Sequence, residues 1–287
     1  MAVRIGVSLD LLGTLVEVYP STGYQSAIDM NRFLQKKSLR EVPMNVGVLE
    51  RNFVRAFKTE VSKDRAKWVA QGLGEASEMP IGGLTKESVA DLWCRIVNAT
   101  YDRNGDFCNH DATVMSVIQE VRDTSEWKRF LQGIVDRYAT PDPYGWLPEA
   151  LPTLRWLKQW RETQMPPNIQ CDPPAIVTNS DHRSLTMVRA MVERDGDAAL
   201  LGPVLTADVI GAGKPSPKGI LLAAKASGVL SLRHWIHVGD AEEDRVAAER
   251  AGCHFCLCSK TQGPVWSELR AKLEEACNSA VGLLRYA

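Results

Sequence analysis

Two patterns of apolar and polar positions divide the chain. In the second half, short apolar, β-branched runs alternate with stretches of helical period. In the first half a single such run is followed by helical text only. The run VRIGVSL, Val3 to Leu9, predicts a buried parallel strand. Asp10 follows it directly, and Gly13 and Thr14 mark a turn. From about 19 to 138 the pattern predicts helices and irregular segments. Leu49, Phe53, Ala56 and Phe57 recur at helical spacing. Val89, Leu92, Trp93, Ile96 and Val97 do the same behind an N-cap at Thr85, with Glu87 and Ser88 in the first turn. A third helix is expected near 126–138, and Gly72, Gly74, Gly82 and Gly83 predict loops.

Pro141, Pro143 and Pro148 punctuate the passage to the second half. There the pattern predicts a helix over 151–160, a strand over 174–178, a helix over 185–192 and a strand over 204–206. A helix over 219–226, a strand over 235–238, a helix over 243–251 and a strand over 254–258 complete it. This alternation predicts a parallel sheet wrapped by helices.

Composition narrows the picture. The chain has 287 residues, room for one large domain or two modest ones. Its 34 basic and 35 acidic residues leave a net charge of −1, so no overall field draws it to nucleic acid or an anionic membrane. No stretch of about 18 apolar residues predicts a membrane span. Seven cysteines, an odd number in a long chain, argue against a disulfide framework and for a reducing compartment. A first strand that begins at Val3 leaves no room for a cleaved presequence, so a cytoplasmic location is expected. A short uncleaved signal, and with it a mitochondrial location, stays open.

Chemistry gathers at the strand ends. In a parallel α/β sheet the ligand site lies outside the carboxyl ends of the strands. Asp10 ends the first strand, Thr178 another and Asp240 a later one, and Lys214 lies in the loop GAGKPSP after Thr206. Any of these alone is ordinary: an aspartate after a strand caps or turns, and a lysine decorates a surface. Their shared placement is what points to a site.

The same residues carry a family resemblance. Asp10-x-x-Gly13-Thr14-Leu15, Thr178-Asn179, Lys214-Pro215 and Gly239-Asp240-x-x-x-Asp244 resemble, in order, the four motifs of the haloacid dehalogenase superfamily. The segments IVTNSD, GAGKPSP and HVGDAEEDRVAAERAG agree with it. The text around Phe53 and Trp93 is similar to one branch, haloacid dehalogenase-like hydrolase domain-containing protein 3. The resemblance implies a Rossmann-like parallel sheet core over 1–18 and 140–287, with an inserted helical cap over 19–139. It implies Asp10 as nucleophile toward phosphorus, forming an aspartyl-phosphate. Thr178 would donate its hydroxyl to the transferring group, with the Asn179 amide beside it at a helix start. Lys214 would hold nucleophile and phosphoryl group together, and Thr14 belongs to the first motif. Asp10, Asp240, the backbone carbonyl of Leu12 and Asp244 would hold Mg²⁺ or support its ligands, hard oxygens suiting that ion.

One position departs from the family's phosphatases. They carry a second aspartate two residues after the nucleophile, as acid for the leaving alkoxide and base for water. Here that residue is Leu12, which transfers no proton. General acid–base catalysis is worth about 10²- to 10⁴-fold. Two readings follow. One is a weak Mg²⁺-dependent hydrolase of a small phosphorylated metabolite. The other is a catalytically degraded protein that binds protein partners as a scaffold subunit of a larger assembly, mitochondrial assemblies included; for it, Trp146 and the helix bearing Arg51 and Arg55 are the surfaces of interest. Non-phosphate chemistry at Asp10 is a third option.

The remaining features read as packing. Cys253, Cys256 and Cys258 form C-x-x-C-x-C, but a zinc site needs a fourth ligand. Strand alternation puts Cys256 and Cys258 on one face and Leu257 on the other. His110 beside Cys108 reads as incidental, and the eight tryptophans as core.

Overall fold

Strand β1 (Val3–Leu9) is the centre of a parallel sheet in a computed structural model of the chain, which describes residues 3–195 and 197–284. A short β2 (Val16–Val18) follows, then helices α1 (Thr22–Lys36), α2 (Val46–Ala70), α3 (Lys86–Thr100), α4 (Ala112–Val121) and α5 (Ser125–Arg137). Strand β3 (Tyr144–Trp146) pairs with β2. The alternating half contains α6 (Ala150–Thr163), β4 (Ile169–Cys171), β5 (Ala175–Thr178), α7 (Arg183–Arg194), β6 (Val204–Thr206) and the short α8 (Ala207–Ile210). It continues through α9 (Lys218–Ala226), β7 (Trp235–Gly239), α10 (Glu242–Ala251), β8 (His254–Leu257) and α11 (Trp266–Leu284).

The sheet order is β6-β5-β1-β7-β8, with β4 beside the start of β1, and every pairing is parallel. The chain winds outward from β1 through β5 to β6, then returns past β1 to β7 and β8. The reversal lies between β1 and β7, where an open α/β sheet leaves a crevice at its carboxyl ends. Strands buried on both faces read as apolar runs, and all five residues of β7 are buried. Gly6 serves a close approach: a Cβ there would lie 2.2 Å from Cζ3 of Trp235.

The chain divides into two compact units. One takes the described residues up to Glu17, Gly74–Ile81, and those from Trp146 on; the other takes Val18–Leu73 and Gly82–Gly145. This differs from the sequence division in two ways. Residues 74–81 go with the sheet, because the Glu78 carbonyl accepts from the Gly213 N–H at 2.8 Å and its carboxylate pairs with Arg250 at 2.9 Å. The return comes at Trp146 rather than 140, because Tyr144 still packs edge-on against Tyr138 and donates to the Tyr138 carbonyl.

The helical unit has its own core, in which Phe33, Tyr101, Trp127 and Phe130 pack ring on ring. Thr85 caps α3 by accepting the Ser88 N–H at 3.1 Å. Phe53 and Phe57 stack with Trp93 between α2 and α3. Two helices here, α1 and α4, go beyond those the pattern predicts. Helix α1 buries Gln25, Ser26 and Asp29 as well as Met30, Phe33 and Leu34, so polar residues interrupt its apolar stripe. In the sheet unit β4 and α11 are likewise additional. Leu269, Leu273, Ala276 and Ala280 form the buried stripe of α11.

Cys256 and Cys258 are buried while Leu257 is exposed, the alternation the strand dictates. His110 turns to its own loop, toward Asp106 and the Asn104 carbonyl. Trp146 donates its indole N–H to Asp195 at 2.6 Å. Among the described residues no helix is long and apolar enough to cross a membrane.

Candidate active site

Register sets the first two acids. Leu9 lies beside Val238, and the next N–H, that of Asp10, donates to the Val238 carbonyl at 2.8 Å. The two strands therefore end together, and Asp10 and Asp240 leave neighbouring ends. The turn after β1 needs glycine at 13, where φ is +85° and a Cβ would lie 2.7 Å from Oδ2 of Asp240. Asp244 comes from the first turn of α10, where its Oδ2 accepts the Ala241 N–H at 3.1 Å and faces the positive end of the helix. Gly239 admits it: a Cβ there would lie 2.3 Å from Cγ of Asp244.

Lys214 ties Asp10 and Asp244 together and reaches the backbone of β5. Its Nζ lies 2.5 Å from Oδ1 of Asp10, 2.5 Å from Oδ1 of Asp244 and 2.9 Å from the Val177 carbonyl. An ammonium has three protons, and all three are engaged. Lys214 is about 5% exposed. Burial opposes its charge, but Asp10 and Asp244 more than offset this and raise its pKa. Burial pushes Asp10 up to about 7, against the pull of Lys214. Burial also opposes ionisation of Asp244, yet Lys214 and His237 prevail and hold it well below the usual carboxylate range.

Asn179 holds the lysine's backbone. Its Oδ1 accepts the Lys214 N–H at 2.6 Å and its Nδ2 donates to the Lys214 carbonyl at 3.0 Å. The side-chain amide expected near the transferring group thus brackets Lys214, and helix α7 starts only at Arg183. Thr178 is buried at the end of β5, its Oγ1 accepting the Ser180 N–H at 3.2 Å. Thr14 is also buried; its hydroxyl donates to Oδ1 of Asp240 at 3.3 Å and lies 3.3 Å from the Cys258 thiol. Leu12 is 40% exposed and bridges to Val16 through its backbone.

The acids suit a divalent cation. Oxygens of Asp10, Asp240 and Asp244 lie within 4.8 Å of one another. With all three ionised, three negative charges against the one buried charge of Lys214 leave −2. A hard-oxygen set with that deficit fits Mg²⁺ by charge and donor chemistry. Lys260, 3.5 Å from Oδ2 of Asp240, is largely exposed and answers this only through solvent.

Several neighbours of the site do not stand out in the sequence. Lys260 and Cys258 reach Asp240 and Thr14 from the segment after β8. His237 reaches Asp244 with Nε2 at 3.2 Å. A signal exists for one of them, since His237 is a polar residue inside the apolar run WIHVG.

An open parallel sheet with an aspartate at the end of its central strand, a buried lysine and an acidic cluster at its switch point defines the class: a Rossmann-like α/β protein with its polar groups at the carboxyl ends of the strands. The profile of haloacid dehalogenase-like hydrolases matches residues 6–252. The chain belongs to that family. Comparison with curated proteins found no match. Among solved structures, an L-2-haloacid dehalogenase is 16% identical, with 93% of this chain and 89% of that one covered and a TM-score of 0.51. That likeness shows the fold. A predicted phosphoglycolate phosphatase from Haemophilus somnus is 17% identical, with 91% and 89% covered and a TM-score of 0.47. A haloacid dehalogenase-superfamily hydrolase from Geobacter sulfurreducens is 15% identical, with 89% and 87% covered and a TM-score of 0.44.

Proposed function

We propose that this chain is a slow Mg²⁺-dependent hydrolase of a small phosphorylated metabolite, acting through an aspartyl-phosphate on Asp10. The observation that carries this is the grouping of Asp10, Asp240 and Asp244, with oxygens within 4.8 Å of one another and one buried lysine against Asp10 and Asp244. Asp10 and Asp240, with Asp244 and the Leu12 carbonyl in support, would hold the ion. When bound it supplies the positive charge that lets a carboxylate approach a phosphate dianion. An oxygen of Asp10 bonds to phosphorus and the ester P–O bond breaks. Water then hydrolyses the mixed anhydride, releasing inorganic phosphate and restoring Asp10. Thr178, whose oxygen already accepts from Ser180, has its proton left to offer the transferring group. Lys214 offsets charge and fixes Asp10; to touch a phosphoryl oxygen it would release one of its three acceptors. The leaving alkoxide takes its proton from water, because Leu12 has none, and that makes turnover slow.

Phosphate release from a panel of phosphomonoesters tests this. Slow release should stop on adding EDTA and fall by about 10³-fold or more in Asp10→Asn. Release unchanged in Asp10→Asn would sink the reading.

Leu12 favours a second reading, in which the fold persists and the chain acts as a binding or scaffold subunit for protein partners. Asp10→Asn, nearly isosteric, would then complement a null strain. A folded, normally partnered variant that fails to complement overturns the scaffold reading.

A further inference from the structure

Asp244 is held on one side by groups the proposed reaction leaves unused. Its Oδ1 lies 3.2 Å from Nε2 of His237; Nδ1 of His237 lies 2.9 Å from Oγ of Ser8; Oγ of Ser8 lies 2.9 Å from Nε1 of Trp235. Ser8 and His237 are direct partners in the β1–β7 register, so the backbone itself brings them side by side. Trp235, Ser8, His237 and Asp244 are all buried. No exchange with bulk water blurs the directions of these bonds.

Those directions follow from the ends of the row. An indole N–H only donates, so Ser8 Oγ accepts from Trp235. At the far end an ionised carboxylate only accepts, so Asp244 calls for a proton on Nε2 of His237. With Nε2 protonated, neutral His237 presents a lone pair at Nδ1, which takes the Ser8 hydroxyl proton. The opposite tautomer would aim the Nε2 lone pair at the Asp244 carboxylate and make Ser8 accept twice, leaving its own proton to find another acceptor.

We infer that Trp235, Ser8 and His237 form a one-directional hydrogen-bond row that positions Asp244, with His237 donating from Nε2 to the same oxygen that meets Lys214. These are positioning residues, and none touches the reacting atoms. The inference rests on the proposed metal site for its consequence and on hydrogen-bond geometry for its structure. A buried carboxylate that accepts from Lys214, His237 and Ala241 has little freedom to turn. Groups that orient a metal ligand typically contribute about 10- to 100-fold in metal affinity.

Two measurements test it. Nitrogen NMR of protein carrying isotope-labelled histidine should find the His237 proton on Nε2. Calorimetric titration with Mg²⁺ should find His237→Gln, which keeps an amide N–H near that position, within a few-fold of wild type. His237→Leu, which fills the space without a donor, should bind about 10- to 100-fold more weakly, and so should Ser8→Ala. A mere space-filling role would let leucine serve as well as glutamine. Should His237→Leu not fold, Ser8→Ala carries the comparison. A proton on Nδ1, or Mg²⁺ affinity in Ser8→Ala equal to wild type, overturns the row. If wild-type protein takes up no Mg²⁺, the metal reading fails by itself. The NMR result then still decides the row: Nε2 upholds it and Nδ1 overturns it.

Discussion

Both units bury charged groups, but they balance them differently. In the helical unit two ion-pair groups match acids with an equal number of bases. Asp29 pairs with Arg137 at 2.8 Å, and Arg137 also donates to Gln25. Glu60 and Asp64 on α2 and Asp91 on α3 meet Arg95, Lys63 and Lys67, three acids against three bases. Such pairs fix how helices lie together and leave no charge over. In the sheet unit Asp10 and Asp244 share one buried lysine, and Asp240 beside them meets only the exposed Lys260; with all three acids ionised the remainder against the buried lysine is −2. Buried charge by itself therefore says little about chemistry. An unbalanced buried charge says that a partner is to be supplied from outside.

Removing the central cation of each network tests that contrast. Lys214→Met takes the buried cation from both Asp10 and Asp244 and should cost about 3–5 kcal/mol. Mg²⁺ can replace the lost charge there, so the melting temperature of Lys214→Met should rise on adding Mg²⁺ by more than that of wild type. Equal rises would break the contrast. Arg137→Met should cost somewhat less, about 2–3 kcal/mol, because it takes the cation from one carboxylate rather than two. Burial already raises the Asp29 pKa against Arg137, and removing Arg137 raises it further. A folded pKa above the unfolded value favours folding in acid, so the deficit should grow as pH rises above about 4 and shrink on acidification. Mg²⁺ should bring back none of it. Thermal melts of both variants across pH, with and without Mg²⁺, check all four expectations.

A smaller effect is expected where the sheet unit lacks a group. Leu12→Asp should raise phosphate release by up to about 10²-fold by giving the leaving oxygen a proton. Leu12 is part-exposed, so the substitution buries no new charge. Faster release in Leu12→Asp would show that the site is complete but for this proton. No gain would move the balance toward the scaffold reading.

The sheet unit is the more legible in sequence, and the reason is physical. Its central strands β1, β5 and β7 are buried along most of their length and so read as apolar runs, each followed or ended by a polar residue. Asp10, Thr178 and Asp240 could be placed for that reason. In the helical unit α1 hides its period because Gln25 and Asp29 face inward to meet Arg137, a residue 112 positions away from Gln25. Ser8 and His237 hide for a related reason. Their contact depends on the β1–β7 register, which joins residues 229 apart and is written in neither strand alone. Asn179 is expected at the site from sequence, but its bonds to the backbone of Lys214, 35 residues on, are not legible there for the same reason.

The smallest effect concerns the cysteines beside the site, where the expectation is inertness. Burial pushes the thiols of Cys256 and Cys258 up to about 12 each. At pH 8 only about one such thiol in 10⁴ is ionised, against roughly one in four for an ordinary cysteine. The thiolate is the form that binds zinc or attacks an alkylating agent. Protein purified without chelator should therefore hold well under one equivalent of zinc by elemental analysis. Iodoacetamide should label both sites far more slowly than a free peptide thiol, as peptide mass spectrometry can follow. As pH rises toward 12 the thiolate fraction grows about tenfold per unit, so labelling of the folded protein should accelerate by that factor. Stoichiometric zinc lost in the double variant Cys256→Ala, Cys258→Ala would mean that the cysteines supply a second metal site. The sheet unit would then carry two kinds of unbalanced donor set rather than one.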